Sequence, residues 1–262
     1  MKTVASRDNP GYKAMARLAA SGSERRKQGA SILDGAHLVA AFLDSGAQPE
    51  EVMVNRAGAA DPEVARLIER SAPARVTLLS DALFASLSTV ESPTGILARV
   101  ATPVARAVPA DAGLVLALEA IQDPGNVGTL LRSAAAAGAG HVLLSAQCAF
   151  AWSPKVLRSA MGAHFALNIV EGADLGAWLG GYRGTSVALA PAAARSLYDL
   201  DLRGPLALVI GNEGAGLAPE TLRAAGVRAS IPMAGPVESL NAAAAGAICL
   251  FEALRQRRTK AP

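Results

Sequence analysis

LVLALEAIQDPGNVGTLLRSAAAAGA, residues 114–139, runs a five-residue apolar stretch into a proline–glycine turn and on into an alanine-rich helical segment. Unbroken apolarity over LVLAL fits a strand buried on both faces. Pro124 and Gly125 make the turn, and Asn126 stands where a helix cap is expected, which puts Arg132 nearly two turns in. Strand candidates of the same kind follow at VLLS (142–145), ALNIV (166–170), SVALA (186–190), LALVIG (206–211) and RASIP (228–232), with helical segments between them. This alternation predicts an α/β domain built on a mostly parallel sheet covered on both faces.

Upstream, the first hundred residues alternate in the same way and predict a smaller α/β domain over 1–100. SILD (31–34), EVMVN (51–55), RVTLL (75–79) and GILARV (95–100) read as strands. AHLVAAFLDSG reads as a helix stopped by Gly46, and DPEVARLIER (61–70) as a helix with Asp61 as N-cap and Pro62 at its first position. Between the domains, ATPVARAVPADAG (101–113) carries two prolines and no apolar period, the mark of a linker. Residues 114–262 form the second domain.

Alanine explains why the chain is 51% hydrophobic with a mean hydropathy of +0.29. No stretch approaches the ~18 consecutive apolar residues of a spanning helix, and MKTVASRDNPGYKAM lacks the apolar core of a signal peptide, so a soluble cytoplasmic protein is expected. The net charge of +3 permits a polyanionic partner without requiring one. Lys2, Arg7, Lys13, Arg17, Arg25, Arg26 and Lys27 crowd one end, and Arg255, Arg257, Arg258 and Lys260 the other. Cys148 and Cys249 read as core thiols, and His37, His141 and His164 as structural or surface residues without metal spacing. No metal is implied, and no G-x-S-x-G elbow supports a hydrolase.

Two further motifs carry chemistry. LVIGNEGAGL (208–217) ends a strand in a glycine-rich loop with one carboxylate, Glu213, and such strand ends are where open α/β sheets bind ligands. Its G-x-x-G-x-G spacing is not the dinucleotide fingerprint, which counts against an oxidoreductase, and it lacks the Lys-Ser/Thr of a phosphate loop. In IPMAGPVESLNAAAAGAICLFEALRQRR (231–258) a strand ends at Pro232 and Ser239-Leu240-Asn241 opens a long helix. Small residues at Ala243, Ala244, Gly246 and Ala247 suit tight core packing or a subunit interface.

These three motifs, in this order, resemble the SpoU (TrmH-like) family of RNA 2′-O-ribose methyltransferases over about 114–258. The matching elements are Asn126, Gly128 and Arg132, then Gly211 to Leu217, then Ile231, Pro232, Met233, Ser239, Leu240 and Asn241, with SPKVLRSAMGA (153–163) as a further likeness. Residues 1–100 resemble the L30e-like substrate-binding domain of ribosomal-RNA members. ILDGAHLV (32–39) has Asp34 where Glu is usual, and SPTGILARV (92–100) has Thr94 in place of Gln.

The resemblance implies a knotted parallel-sheet domain with a deep trefoil (the SPOUT fold), S-adenosylmethionine as methyl donor, an RNA substrate, most simply ribosomal, and a homodimer formed through the knotted region. It implies a donor site at Gly211, Ile231, Met233 and Leu240, and catalytic roles for Asn126, Arg132, Glu213, Ser239 and Asn241. An arginine is a poor base, so Arg132 is expected to grip the phosphate beside the target ribose, leaving that phosphate or Glu213 to accept the proton. Arg25, Arg26 and Lys27 are the RNA-binding candidates. A transfer-RNA methyltransferase and a non-catalytic RNA-binding module are the alternatives, and the presence of all five catalytic candidates weighs against the second.

Overall fold

The computed structural model describes residues 1–90, 92–191 and 193–258. Lys260, among the C-terminal basic residues named above, lies outside the described residues. The chain forms two compact units, Met1–Val104 with Trp152–Phe165, and Ala105–Ala151 with Ala166–Pro262.

The first unit contains β1 (Lys2–Val4), α1 (Pro10–Ala20), α2 (Gly22–Gln28), β2 (Ala30–Asp34), α3 (Ala36–Asp44), β3 (Glu51–Val54), α4 (Arg56–Ala60), α5 (Pro62–Arg70), β4 (Arg75–Leu79), α6 (Asp81–Ala85) and β5 (Ile96–Ala101). Its sheet runs β1-β4-β3-β5-β2, with β5 antiparallel to both neighbours and the remaining pairs parallel. Polar caps start α1, α2 and α5: Asn9 accepts from the Tyr12 amide, Ser21 from Glu24, and Asp61 from Glu63 and Val64 with Pro62 following. Met15, Leu18, Met53, Phe84 and Leu97 belong to its core. Strand β1 carries no strand signal in the sequence, because only Val4 of this three-residue edge strand is buried.

The break between Val104 and Ala105 falls inside 101–113, and Trp152–Phe165 groups with the first unit. Helix α8 (Pro154–Ala160), inside the stretch resembling the methyltransferase family, packs on β2, and Phe165 meets Phe42 edge-on at 5.1 Å between ring centres. Gly162 permits a close approach there, since a Cβ on it would stand 2.6 Å from that of Ala41.

The second unit contains β6 (Leu114–Leu118), α7 (Pro124–Ala136), β7 (His141–Leu144), β8 (Asn168–Glu171), α9 (Leu175–Gly181), β9 (Thr185–Leu189), β10 (Leu206–Ile210), α10 (Pro219–Ala224), β11 (Val227–Ala229) and α11 (Ala242–Arg258). All six strands are parallel, in the order β11-β9-β10-β6-β7-β8. The central pair β6 and β10 is buried along its whole length, as the unbroken apolar runs require. Among the described residues no helix is long and apolar enough to cross a membrane.

One local expectation is corrected, and one left open is narrowed. The cap of α7 is Asp123, whose Oδ1 accepts from the Asn126 amide at 2.8 Å, because Pro124 at the first position lets the helix begin before Asn126. The small residues of α11 serve its own unit first: Ala243 and Gly246 are buried where α11 packs on α7, whereas Ala244 is exposed.

Candidate functional site

Parallel strands carry their carboxyl ends to one edge of the sheet, and the loops after β9, β10 and β11 meet there around a cavity of about 240 Å³. Leu189 to Pro191 form one wall, Ile210 to Gly216 a second, and Ile231, Met233 and Glu238 to Leu240 a third, closed by Ala242 and Ala245 of α11. Gly211, Ile231, Met233 and Leu240, the four residues expected at a donor site, all border it, with Glu213 and Ser239 beside them. Asn126, Arg132 and Asn241 do not.

Backbone geometry explains the glycines. A Cβ on Gly211 would lie 2.5 Å from the carbonyl carbon and oxygen of Gly216, so the loop folds back on itself only with glycine there. Asn212 closes that turn: its amide donates to the Gly216 carbonyl at 3.2 Å, its Oδ1 accepts from Gly214 and Ala215, and its Nδ2 donates to the Ala120 carbonyl at 3.1 Å. Glu119 holds the far end of the loop, accepting from the Ala218 amide at 2.8 Å and the Thr221 hydroxyl at 2.7 Å.

Asn126 is drawn to the cavity rim by two side-chain bonds. Its Nδ2 donates to Glu213 Oε1, and its Oδ1 accepts from Asn241 Nδ2 at 3.1 Å. Asn241 also caps α11, its Oδ1 accepting from the Ala243 and Ala244 amides at 3.0 and 3.2 Å. Arg132 is exposed on α7 and makes no hydrogen bond or ion pair among the described residues. Six residues beyond Asn126, it sits roughly 9 Å along the helix and about 120° around it.

Arg25 is corrected as an RNA contact. It is buried, and its guanidinium donates to the carbonyls of Leu18 and Ala19 at the end of α1, so it ties α2 to α1. Burial first, and the neighbouring charge of Arg26 second, push its pKa down. Arg26 and Lys27 remain exposed.

The thiols and imidazoles stand outside the site. Cys249 is buried in α11, and burial pushes its thiol up to about 12. Cys148 is half-buried and donates to the Leu118 carbonyl. His164 is buried against Trp152, His37 is exposed, and the Nδ1 of His141 is paired with Asn168. No cluster of His, Cys, Asp or Glu suited to a metal occurs among the described residues. The sequence reading missed Leu189 to Pro191, Asn212, Glu119 and Glu238. The apolar strand end SVALA was the available signal for the first, and the loop's Gly-Asn-Glu for the second.

The SpoU rRNA Methylase family model matches residues 113–251, and a model of the MRM3-like substrate binding domain matches residues 9–98. A Synechocystis protein described as an uncharacterized tRNA/rRNA methyltransferase is 33% identical, the alignment covering 97% of this chain and 94% of the relative. The Bacillus subtilis 23S rRNA (guanosine(2553)-2′-O)-methyltransferase RlmP is 31% identical over 96% of this chain and 98% of its own. A crystal structure of an AdoMet-bound rRNA methyltransferase from Sinorhizobium meliloti superposes with a TM-score of 0.85 at 28% identity, covering 98% of this chain and 99% of that one. The chain belongs to the SpoU rRNA methylase family.

Proposed function

We propose that the chain is an S-adenosylmethionine-dependent RNA 2′-O-ribose methyltransferase acting on ribosomal RNA, with the cavity at the ends of β9, β10 and β11 as its donor site. The observation that carries this reading is the convergence of Gly211, Ile231, Met233 and Leu240, from separate stretches of chain, on one cavity whose rim holds the Glu213–Asn126–Asn241 cluster. The cavity fits the donor: Leu189, Ile210, Ile231 and Leu240 offer apolar walls to an adenine, and the only charged lining residues among those described, Glu213 and Glu238, suit a cationic ligand. When bound, the donor supplies a methyl group already activated on a sulfonium. The work left to this chain is to position the ribose hydroxyl and take its proton.

Arg132 binds the phosphate beside the target ribose, since a guanidinium holds its proton too tightly to act as a base. Its place on α7, around the helix from Asn126, favours a homodimer in which Arg132 of one protomer serves the donor cavity of the other. Ala244, Ala247, Ile248 and Phe251 form a partly exposed apolar stripe along α11, with Phe251 47% exposed, and suit the subunit contact. The deep trefoil knot, a cytoplasmic location and RNA binding by the N-terminal unit through Arg26 and Lys27 complete the reading.

Incubating the protein with radiolabelled donor and unmodified ribosomal RNA, then mapping 2′-O-methyl groups, tests it. Incorporation at a ribose is expected. Label found on a base, on transfer RNA alone, or on no RNA would reject the assignment.

A further inference from the structure

We infer that Asn126 and Asn241 are positioning residues of a polarised side-chain relay that aims Glu213, and that Glu213 accepts the proton of the ribose 2′-hydroxyl. This rests on the function proposed above.

The direction of the relay is set at α11. The first amides of a helix have no partner within it, and Asn241 Oδ1 takes two of them, from Ala243 and Ala244. That fixes which way round the Asn241 amide sits, so its Nδ2 points outward and donates to Asn126 Oδ1. With its oxygen occupied, Asn126 can only present its Nδ2 to Glu213. Reversing either amide would set oxygen against oxygen or nitrogen against the helix amides. Donation therefore runs one way, from the positive end of a 17-residue helix to a carboxylate. The Asn126 backbone is itself held by Asp123, and neither asparagine borders the cavity.

Glu213 does border it, on the turn closed by Asn212. Its Oε1 is taken by Asn126, and its Oε2 has no hydrogen bond among the described residues. Glu238 lines the same cavity, and Asp123 caps α7. In the transfer, the hydroxyl oxygen bonds to the methyl carbon, the carbon–sulfur bond breaks with its electron pair going to sulfur, and the hydroxyl proton passes to Glu213. The hydroxyl becomes strongly acidic as the new bond forms, so an ionised carboxylate is a sufficient acceptor. Arg132 has no lone pair to offer.

Asn241→Asp separates relay from scaffold. Aspartate caps a helix as well as asparagine does, so α11 is kept, but it has no N–H to give Asn126. The Asn126 amide then turns its nitrogen toward the new carboxylate and its oxygen toward Glu213. Turnover should fall roughly 10- to 100-fold with the KM for the methyl donor unchanged. In the unliganded protein, the side-chain amide proton signal of Asn126, assigned with Asn126→Ala, should move in both Asn241→Asp and Glu213→Gln. The double variant Asn126→Ala/Asn241→Asp should be no slower than Asn126→Ala alone. Wild-type turnover in Asn241→Asp, an Asn126 signal that ignores either substitution, or loss of donor affinity alongside turnover would each overturn the relay. A wild-type protein that methylates no ribose would remove the proposed function and the relay with it.

Discussion

Gly246 of α11 lies so close to Leu130 of α7 that a Cβ on the glycine would stand 2.3 Å from Leu130 Cδ2. Leu130 is fully buried, so turning it aside would have to displace packed neighbours. Alanine ordinarily gains about 1 kcal/mol over glycine inside a helix. Here Gly246→Ala is expected to destabilise by roughly 1–3 kcal/mol through overpacking, and Leu130→Val to recover part of the loss. Denaturant unfolding checks both, and an unchanged or raised stability in Gly246→Ala would show that the helices yield.

Gly211→Ala should cost donor binding more than stability. The added methyl meets the Gly216 carbonyl at 2.5 Å, and backbone cannot rotate out of the way as a side chain can. The loop that walls the cavity must open, and calorimetric affinity for S-adenosylhomocysteine is expected to fall about tenfold or more, some ~1.4 kcal/mol. Wild-type affinity would place the ligand away from this loop.

Arg25 and its neighbours should behave oppositely. Arg25→Met removes a buried bridge to the end of α1 and should lower the melting temperature while leaving the salt dependence of RNA binding alone. Arg26→Gln with Lys27→Gln should flatten the log–log salt slope by up to about 2. If the pair leaves that slope unchanged, α2 is not an RNA contact.

His141 gives a pH signature. Burial, and secondarily the charge of Arg106, hold its imidazole below the ordinary range. Its Nδ1 lies 3.1 Å from Asn168 Nδ2, so the neutral ring accepts there. The folded chain thus resists a proton that the unfolded chain takes up near pH ~6.5. Stability from this group is complete above that value and declines as pH falls toward the lower folded value. The melting temperature should drop more between about pH 7.5 and 5 in the wild type than in His141→Gln. Parallel curves would assign the decline to other groups.

Mixing inactive variants tests the shared site. Arg132→Ala should lower turnover and spare donor affinity, and Asn241→Ala should also lower turnover. Refolding the two together yields dimers with one site carrying both lesions and one carrying neither, so activity should partly return. Mixed dimers verified by mass spectrometry that stay as inactive as their parents would put both residues in one subunit's site.

Local pattern marked many of the elements, and the resemblance to the family marked part of the cavity wall. Apolar runs mark β6 and β10 because a strand buried on both faces has no room for polar residues, and Asp61-Pro62 marks α5 because capping is a local event. Gly211, Ile231 and Leu240 were legible as strand-end and loop residues of recognisable motifs. Which polar groups meet depended on the folded arrangement. Asn126 reaches Glu213 across 87 positions and Asn241 across 115, because the strand order lays β6 beside β10 and α11 folds back over α7. The same holds for Arg25, whose place in a basic run made it an RNA-binding candidate although it bonds to the end of α1, and for Trp152–Phe165, which joins the first unit. Periodicity reports how deeply a residue is buried, whereas the partner of a buried charge or amide depends on how distant segments cross, which no local pattern contains.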